Sequence, residues 1–347
     1  MTTEELTPLL GMTIEELAEV AAELSMPRFA AGQMAQWLYQ KRVTDIDAMT
    51  NLSKTSRDRL KKSYTVGRYD PCDVARSIDG MAKYLFRACG DKMIESVYIP
   101  DNGRGSERAT LCVSSQAGCK MNCLFCMTGR QGFHGNLTCR EIINQIMSIP
   151  ESERLTNLVF MGMGEPTDNL AEVMKAIRIL TEKWGLAWSP RRITVSSIGR
   201  VAQLRTLLDQ TDVHIAISVH SPYSAERLQL MPIEKASPIA KVMALLADYD
   251  FAHQRRLSVE YIMWSGLNDD LQHAEALRRL LRNTDARVNL IRFHAIPGAA
   301  LKTSDEQRMV DFRDYLNSHG VICTIRRSRG EDIFAACGML AGKNLNN

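Results

Sequence analysis

The hydrophobic rhythm of the chain changes near Asp73. Before that point apolar residues recur at helical spacing. Ile14, Leu17, Val20, Ala21 and Leu24 share one face of a segment over residues 12–24. Thr13 stands at the N-cap position, and Glu16 three places on completes a capping box. Pro27 ends this helix. A second helix is predicted over 30–41, with Met34, Trp37 and Leu38 on one face, and two shorter ones over 45–49 and 53–64. No long alternating strand precedes Asp73. From there 73–77, 82–87 and 93–99 read as strands, with Asp79–Gly80 and Cys89–Asp91 as turns. Beyond them strands and helices alternate. The strands "ATLCVSS", "NLVFMGM", "RITVSS", "HIAISVH", "RLSVEYIM", "RVNLIRF" and "VICTIRR" are separated by helices over 138–149, 169–183, 201–208, 239–249, 270–282 and 306–318. Such alternation implies right-handed crossovers and a parallel sheet. The expected fold is α/β: a partial (β/α)6 barrel over 105–347, an all-helical accessory domain over 1–67 and a short β-rich connector over 68–104. In such barrels the loops after the strands build the site.

Composition narrows the setting. The 347 residues are 45% hydrophobic and 24% charged, as in an ordinary globular protein. No run of eighteen apolar residues occurs, and "MTTEELTPLL" lacks an apolar signal core. A cytoplasmic, reducing location is expected, with no membrane association, so the nine cysteines read as ligands, catalysts or core residues rather than a disulfide framework. The net charge of +3 says little, but residues 26–67 hold eight Lys or Arg (Arg28, Lys41, Arg42, Lys54, Arg57, Arg59, Lys61, Lys62) against three Asp. That cluster is either a solvated helical face or a surface for nucleic-acid phosphates.

The chemistry concentrates in "GCKMNCLFCMTGRQGF", where Cys119, Cys123 and Cys126 crowd one loop after the first barrel strand. A structural zinc site would show four ligands, commonly as two separated pairs. Cys112 upstream and Cys139 downstream are the available fourth thiols, and either would close a zinc site or an ordinary four-thiolate cluster. The stronger reading is a 4Fe-4S cluster held at three irons, with the fourth open to a small molecule.

The C-x3-C-x2-C spacing, with Phe125 before the last cysteine, resembles the radical S-adenosylmethionine (SAM) superfamily. "MGMGEP" after the second strand resembles that superfamily's glycine–glutamate edge, which implies that Gly164 and Glu165 receive the SAM ammonium. Ser196 in "TVSSIG", and Ser218, Val219 and His220 in "SVHSPY", fall at the ends of the next two strands, where they could hold SAM hydroxyls and carboxylate. Near the C-terminus Gly330, Gly338 and Glu331–Asp332 give "RGEDIFAACGML" the look of a shaped loop around Cys337.

Together, "TLCVSSQAGCKMNCLFCMTGRQGF", "FMGMGEP", "SPRRITVSSIG", "SPYSAERLQLMPI", "NLIRFHAIPG" and "RGEDIFAACG" resemble the RlmN/Cfr group of RNA adenosine methyltransferases, over nearly the whole chain and closer to the RlmN pattern. The resemblance implies a two-SAM reaction. Cys337 would be methylated, and a radical from a second SAM would take a hydrogen from that methyl. The carbon radical would add to adenine, Glu95 would accept the ring proton, and Cys112 would resolve the adduct through a transient disulfide with Cys337. His294 falls at a SAM contact where the group more often has Asn. "NGRGSE" lengthens the link from Glu95 to the first barrel strand.

The implied partners are an adenosine in 23S ribosomal RNA, the adenosine 3′ of the anticodon in some transfer RNAs, and an electron donor such as flavodoxin or ferredoxin. No obligate protein partner is expected. Arg326, Arg327 and Arg329 could hold phosphates near the mouth. Two alternatives stand beside this reading: a Cfr-type enzyme acting at carbon 8, and a non-catalytic RNA-binding protein stapled by a four-cysteine metal site that includes Cys112.

Overall fold

The structure is a computed structural model and describes residues 6–88, 90–101, 108–253, 255–298 and 300–341. The "NGRGSE" link and Cys89 of the predicted turn lie outside them. The N-terminal unit begins with β1 (Thr7–Pro8), which pairs in parallel with β2 (Tyr64–Thr65). Between them lie α1 (Ile14–Glu23), α2 (Ala30–Ala35) and α3 (Lys54–Ser63). The capping box forms as expected: Glu16 N–H donates to Thr13 Oγ1, and Thr13 N–H to Glu16 Oε2 at 2.7 Å. The second helix does not run straight to Lys41. It passes into a π-helical turn at Gln36–Gln40, where buried Tyr39 donates its hydroxyl to Met12 O at 2.5 Å. The unit is therefore not all-helical. A two-residue parallel bridge has no alternation for a sequence to display.

Ten of the strands among the described residues form one sheet. β3 (Asp73–Arg76), β4 (Ala82–Ala88) and β5 (Lys92–Pro100) make an antiparallel meander. β5 then pairs antiparallel with β6 (Ala109–Cys112), placing Val97 opposite Cys112. The segment expected as a connector is thus continuous with the barrel sheet. A separate hairpin, β7 (Gln116–Gly118) and β8 (Phe133–Asn136), brackets the cysteine loop and the short α4 (Met127–Arg130).

From β6 the sheet runs in parallel through β9 (Asn157–Phe160), β10 (Ile193–Ser197), β11 (His214–Ser218), β12 (Leu257–Met263), β13 (Arg287–Arg292) and β14 (Cys323–Ile325). The helices between are α5 (Cys139–Met147), α6 (Leu170–Thr181), α7 (Val201–Gln210), α8 (Ser224–Leu230), α9 (Ile239–Leu246), α10 (Leu271–Leu281) and α11 (Glu306–Ser318). Leu111, Leu158, Val195, Ile215, Val259 and Leu290 are buried along the strands, as parallel sheets covered by crossover helices require.

The barrel is not closed by strand pairing, because β14 and β3 are the sheet's two edges. The chain after β14 spans the gap. Arg329 donates to Pro100 O at 2.5 Å and Asp79 O at 2.9 Å, Gly330 N–H to Asp79 Oδ2 at 3.0 Å, and Ser77 Oγ to Asp332 Oδ1 at 2.7 Å. Arg329 is therefore a strap between the two edges rather than a phosphate contact. No helix among the described residues is long and apolar enough to cross a membrane.

Candidate active site

The cysteine loop is pinned at its neck. Gly118 has φ +73°, and a Cβ there would lie 1.9 Å from Gly132 O. Only glycine allows that crossing, which lets Cys119 N–H donate to Gly132 O at 2.9 Å. Leu124 N–H donates to Leu230 O at 2.9 Å, so the loop is also tied to the end of α8. Cys119 and Cys123 are buried and Cys126 half-buried, and all three line one cavity. Burial pushes Cys119 up to about 12, and raises Cys123 and Cys126 as well. Bare, they are thiols; binding metal must displace their protons.

The donor set fits a sulfur-ligated cluster better than a single ion. Among the described residues no three His, Cys, Asp or Glu side chains stand close enough together to hold one metal ion, whereas a four-iron cluster spaces its thiolates more widely. The two thiols considered as a fourth ligand lie elsewhere. Cys139 opens α5, its N–H donating to Glu172 Oε2 at 2.6 Å, in a neighbourhood that includes Tyr39 and Lys175. Cys112 lies on β6 within the electrostatic reach of Cys337 and Arg326.

The cavity wall comes from successive strand ends. Gly162 and Gly164 allow the chain after β9 to cross the extension of β6; a Cβ at 162 would lie 2.6 Å from Val113 O, and one at 164 would lie 2.8 Å from Gln116 N. Glu165 is buried and faces the cavity. Its Oε1 accepts from Thr167 N–H at 3.0 Å, Thr167 Oγ1 at 2.5 Å and Ser197 Oγ at 2.8 Å, and its Oε2 from Ile198 N–H at 3.1 Å. Burial raises its pKa against the opposing pull of those donors. Ser196 and Ser218 line the cavity, but Val219 does not. Val219 N–H donates to Glu260 O at 3.1 Å and its carbonyl accepts from Arg227 Nε at 3.1 Å, so it backs the wall. His220, at φ +59°, also lines the cavity. Its Nδ1 accepts from Ile262 N–H at 3.0 Å, and burial, helped by Arg227, pushes its pKa down to about 3. The neutral ring therefore carries its proton on Nε2.

The segment after β14 covers the loop. Met127 N–H donates to Gly338 O at 2.8 Å, Thr128 Oγ1 to Leu340 O at 2.7 Å, and Gln131 Nε2 to Ala341 O at 2.5 Å. Cys337 thereby lines the cavity with Arg326, which sits 3.3 Å from Glu260 Oε2 and interacts electrostatically with both Cys337 and Cys112. Burial pushes Cys112 up to about 12. No disulfide links the two sulfurs.

Glu95 and His294 are not brought to the cavity lining. Glu95 is buried, 2.9 Å from Lys83 Nζ, and its Oε2 accepts from Ala341 N–H at 2.7 Å. His294 lies in a separate depression, 3.3 Å from Glu331 Oε1 and 3.4 Å from Ser328 Oγ.

The model of the radical SAM superfamily matches residues 113–281, and that of the ribosomal RNA large subunit methyltransferase N-terminal domain matches residues 7–66. A probable dual-specificity RNA methyltransferase RlmN of Parabacteroides distasonis is 57% identical over 96% of each chain. The dual-specificity RNA methyltransferase RlmN of Campylobacter hominis is 41% identical over 97% of each. The chain belongs to the RlmN family. A radical SAM methyltransferase from Sphaerobacter thermophilus, solved by crystallography, shares this fold with a TM-score of 0.90 and 36% identity, over 97% of this chain and 100% of that one.

Membership of the RlmN family makes the chain a radical SAM RNA methyltransferase, a class that uses SAM and a 4Fe-4S cluster. It overturns the non-catalytic, metal-stapled alternative and does not favour the Cfr-type one. One charged residue of the RlmN-family cavity, Glu260, and one packed behind its wall, Arg227, escaped the sequence reading. Glu260 stands in "RLSVEYIM", and a lone carboxylate inside a buried strand was the signal for it. Arg227 stands in "SPYSAERLQLMPI" with its side chain fully buried, and no local pattern marks a buried arginine.

Proposed function

We propose that this chain methylates carbon 2 of an adenosine in 23S ribosomal RNA and of the adenosine 3′ of the anticodon in some transfer RNAs, using two SAM molecules and an S-methylated Cys337. The observation that carries the reading is convergence: three thiols of one loop, the glycine–glutamate edge, two strand-end serines, His220 and Cys337 all line one cavity. Cys119, Cys123 and Cys126 would hold the 4Fe-4S cluster, which with SAM supplies one-electron reductive cleavage and so hydrogen abstraction from an unactivated methyl group. A small carrier such as flavodoxin or ferredoxin would deliver the electrons.

The chain's own groups have distinct tasks. Glu165, held by four donors, presents a fixed carboxylate to the SAM ammonium beside Gly164. Ser196, Ser218 and the Nε2–H of His220 offer polar contacts, with Val219 behind them. His294 is left out of this set because it faces Glu331. Cys337 would accept a methyl group by displacement as its thiolate, with the Arg326 guanidinium the charged partner on the same cavity wall. Cys112 stays protonated until an adduct needs resolving. Glu95 is held by Lys83 and the Ala341 amide away from the cavity lining, so displacement of the covering segment is part of its role as proton acceptor.

The target base must leave its stack to reach this depth. Of the eight N-terminal cations, four have internal partners: Arg42 with Ser152, Arg57 with Leu52 O, Arg59 with Leu24 O and Lys61 with Asp47. Arg28, Lys41, Lys54 and Lys62 remain exposed for the RNA backbone.

Nucleosides from ribosomal and transfer RNA incubated with the reconstituted enzyme, separated by mass spectrometry, should contain 2-methyladenosine. Finding 8-methyladenosine alone, or no methylated adenosine, overturns the proposal. Cys112→Ala should keep its iron and sulfide and accumulate a covalent protein–RNA adduct. Loss of the metal would return Cys112 to the ligand set.

A further inference from the structure

Arg227 is fully buried behind the cavity wall, bonded to the carbonyls of the lining residues Ile198 and Ser218, yet none of the roles above uses it. Its Nε donates to Val219 O at 3.1 Å, its Nη2 to Ile198 O and Ser218 O at 3.0 Å each, and its Nη1 to Glu234 Oε2. Four of its five N–H groups are thus engaged, three of them with carbonyls at the C-terminal ends of β10 and β11.

The ion pair is oriented. Glu234 is held on the far side, accepting from Ser224 Oγ at 2.7 Å and from Ile239 N–H, at the start of α9, at 3.0 Å. The guanidinium lies on the cavity side, bonded to the carbonyls of Ile198 and Ser218, both of which line that cavity, and its charge reaches His220. Geometry ties it to the cysteine loop independently: α8, which carries Arg227, accepts the Leu124 N–H at Leu230 O, one residue beyond Cys123. A buried ion pair adds little stability over an apolar pair of the same size, so its position calls for another purpose.

We propose that Arg227 sets the reduction potential of the cluster that Cys119, Cys123 and Cys126 would hold, with Glu234 as the counter-charge that limits its effect. The inference rests on the three-thiolate reading above. Reduction adds a negative charge to the cluster, and a fixed positive charge behind the wall that Ile198 and Ser218 form stabilises the reduced form. Arg227 is a positioning residue here; it touches neither substrate nor reacting atom.

The test is a redox titration of the anaerobically reconstituted full-length protein, followed by electron paramagnetic resonance. Glu234→Gln removes the counter-charge, leaves the guanidinium in place, and should raise the midpoint. Arg227→Met should lower it, by about tenfold in the reduction equilibrium, or about 59 mV for one electron. Arg227→Lys should hold the wild-type value. If Arg227→Met does not fold, Glu234→Gln decides alone: a midpoint that stays or falls overturns the inference. A wild-type protein without an iron–sulfur cluster overturns the reading beneath it as well, whereas a wild-type cluster with unmoved variants overturns only the role of Arg227.

Discussion

Replacing Glu165 isolates what its carboxylate does for the fold before any ligand binds. In Glu165→Ala four donors lose their acceptor. Two can rescue each other, because Thr167 Oγ1 and Ser197 Oγ lie 3.3 Å apart and their hydroxyls rotate. The Thr167 and Ile198 amides cannot. Each buried donor left unpaired costs about 1–3 kcal/mol, so the pair costs about 2–6 kcal/mol. Part of that is returned, because a buried carboxylate carries a desolvation penalty that alanine lacks. Glu165→Gln keeps an oxygen for the Thr167 and Ser197 donors but turns an NH2 toward the Ile198 amide, a loss of about 1–3 kcal/mol. The expected order of stability is wild type, then Gln, then Ala, read from urea unfolding midpoints of the metal-free protein with unchanged slope. An alanine variant with the wild-type midpoint would refute the four-donor account. A glutamine variant that unfolds near wild type yet no longer binds SAM would separate the carboxylate's charge from its structural task.

Two other expectations use different observables. Gly118→Ala would drive its methyl to 1.9 Å from Gly132 O at φ +73°, where left-handed backbone alone costs about 1–2 kcal/mol; iron bound per chain after reconstitution should fall, and full iron loading at an unchanged melting temperature would contradict this. His214 is pushed down to about 4 by burial and then by Arg256, Arg191 and Arg108. Its folded pKa lies below the unfolded 6.5, so its contribution is intact above pH 6.5 and lost as pH falls toward 4. His214→Gln keeps an acceptor for the Arg256 N–H, which His214 Nδ1 takes at 2.8 Å, and should flatten melting temperature against pH across that window; an unchanged slope would assign the acid sensitivity elsewhere.

Features written in short stretches of sequence were legible. The Thr13–Glu16 box, the alternation of strands and helices, and the three cysteines after the first barrel strand each depend on residues a few positions apart. Features made by distant pairing were not. Nothing in the period of β5 says that its partner is β6, so the connector looked separate from the barrel. Arg329 reads as a phosphate ligand until its bond to Pro100 O, across 229 positions, is seen. Glu95 sits near the site in chain order, but its carboxylate is held by Lys83 and Ala341. His294 stands at the end of β13, as a SAM contact would, yet its ring turns toward Glu331 and Ser328. In each case a long-range partner decides where the side chain points.

The segment that covers the cysteine loop also has a place in time. Roughly two hundred residues separate Cys126 from Cys337. At about 5–20 residues per second the ribosome needs about 10–40 s to make them. Throughout that interval the loop has emerged without the stretch whose Gly338, Leu340 and Ala341 carbonyls will lie across it. The nascent thiols are open to iron delivery during synthesis, and open to oxidants for the same span.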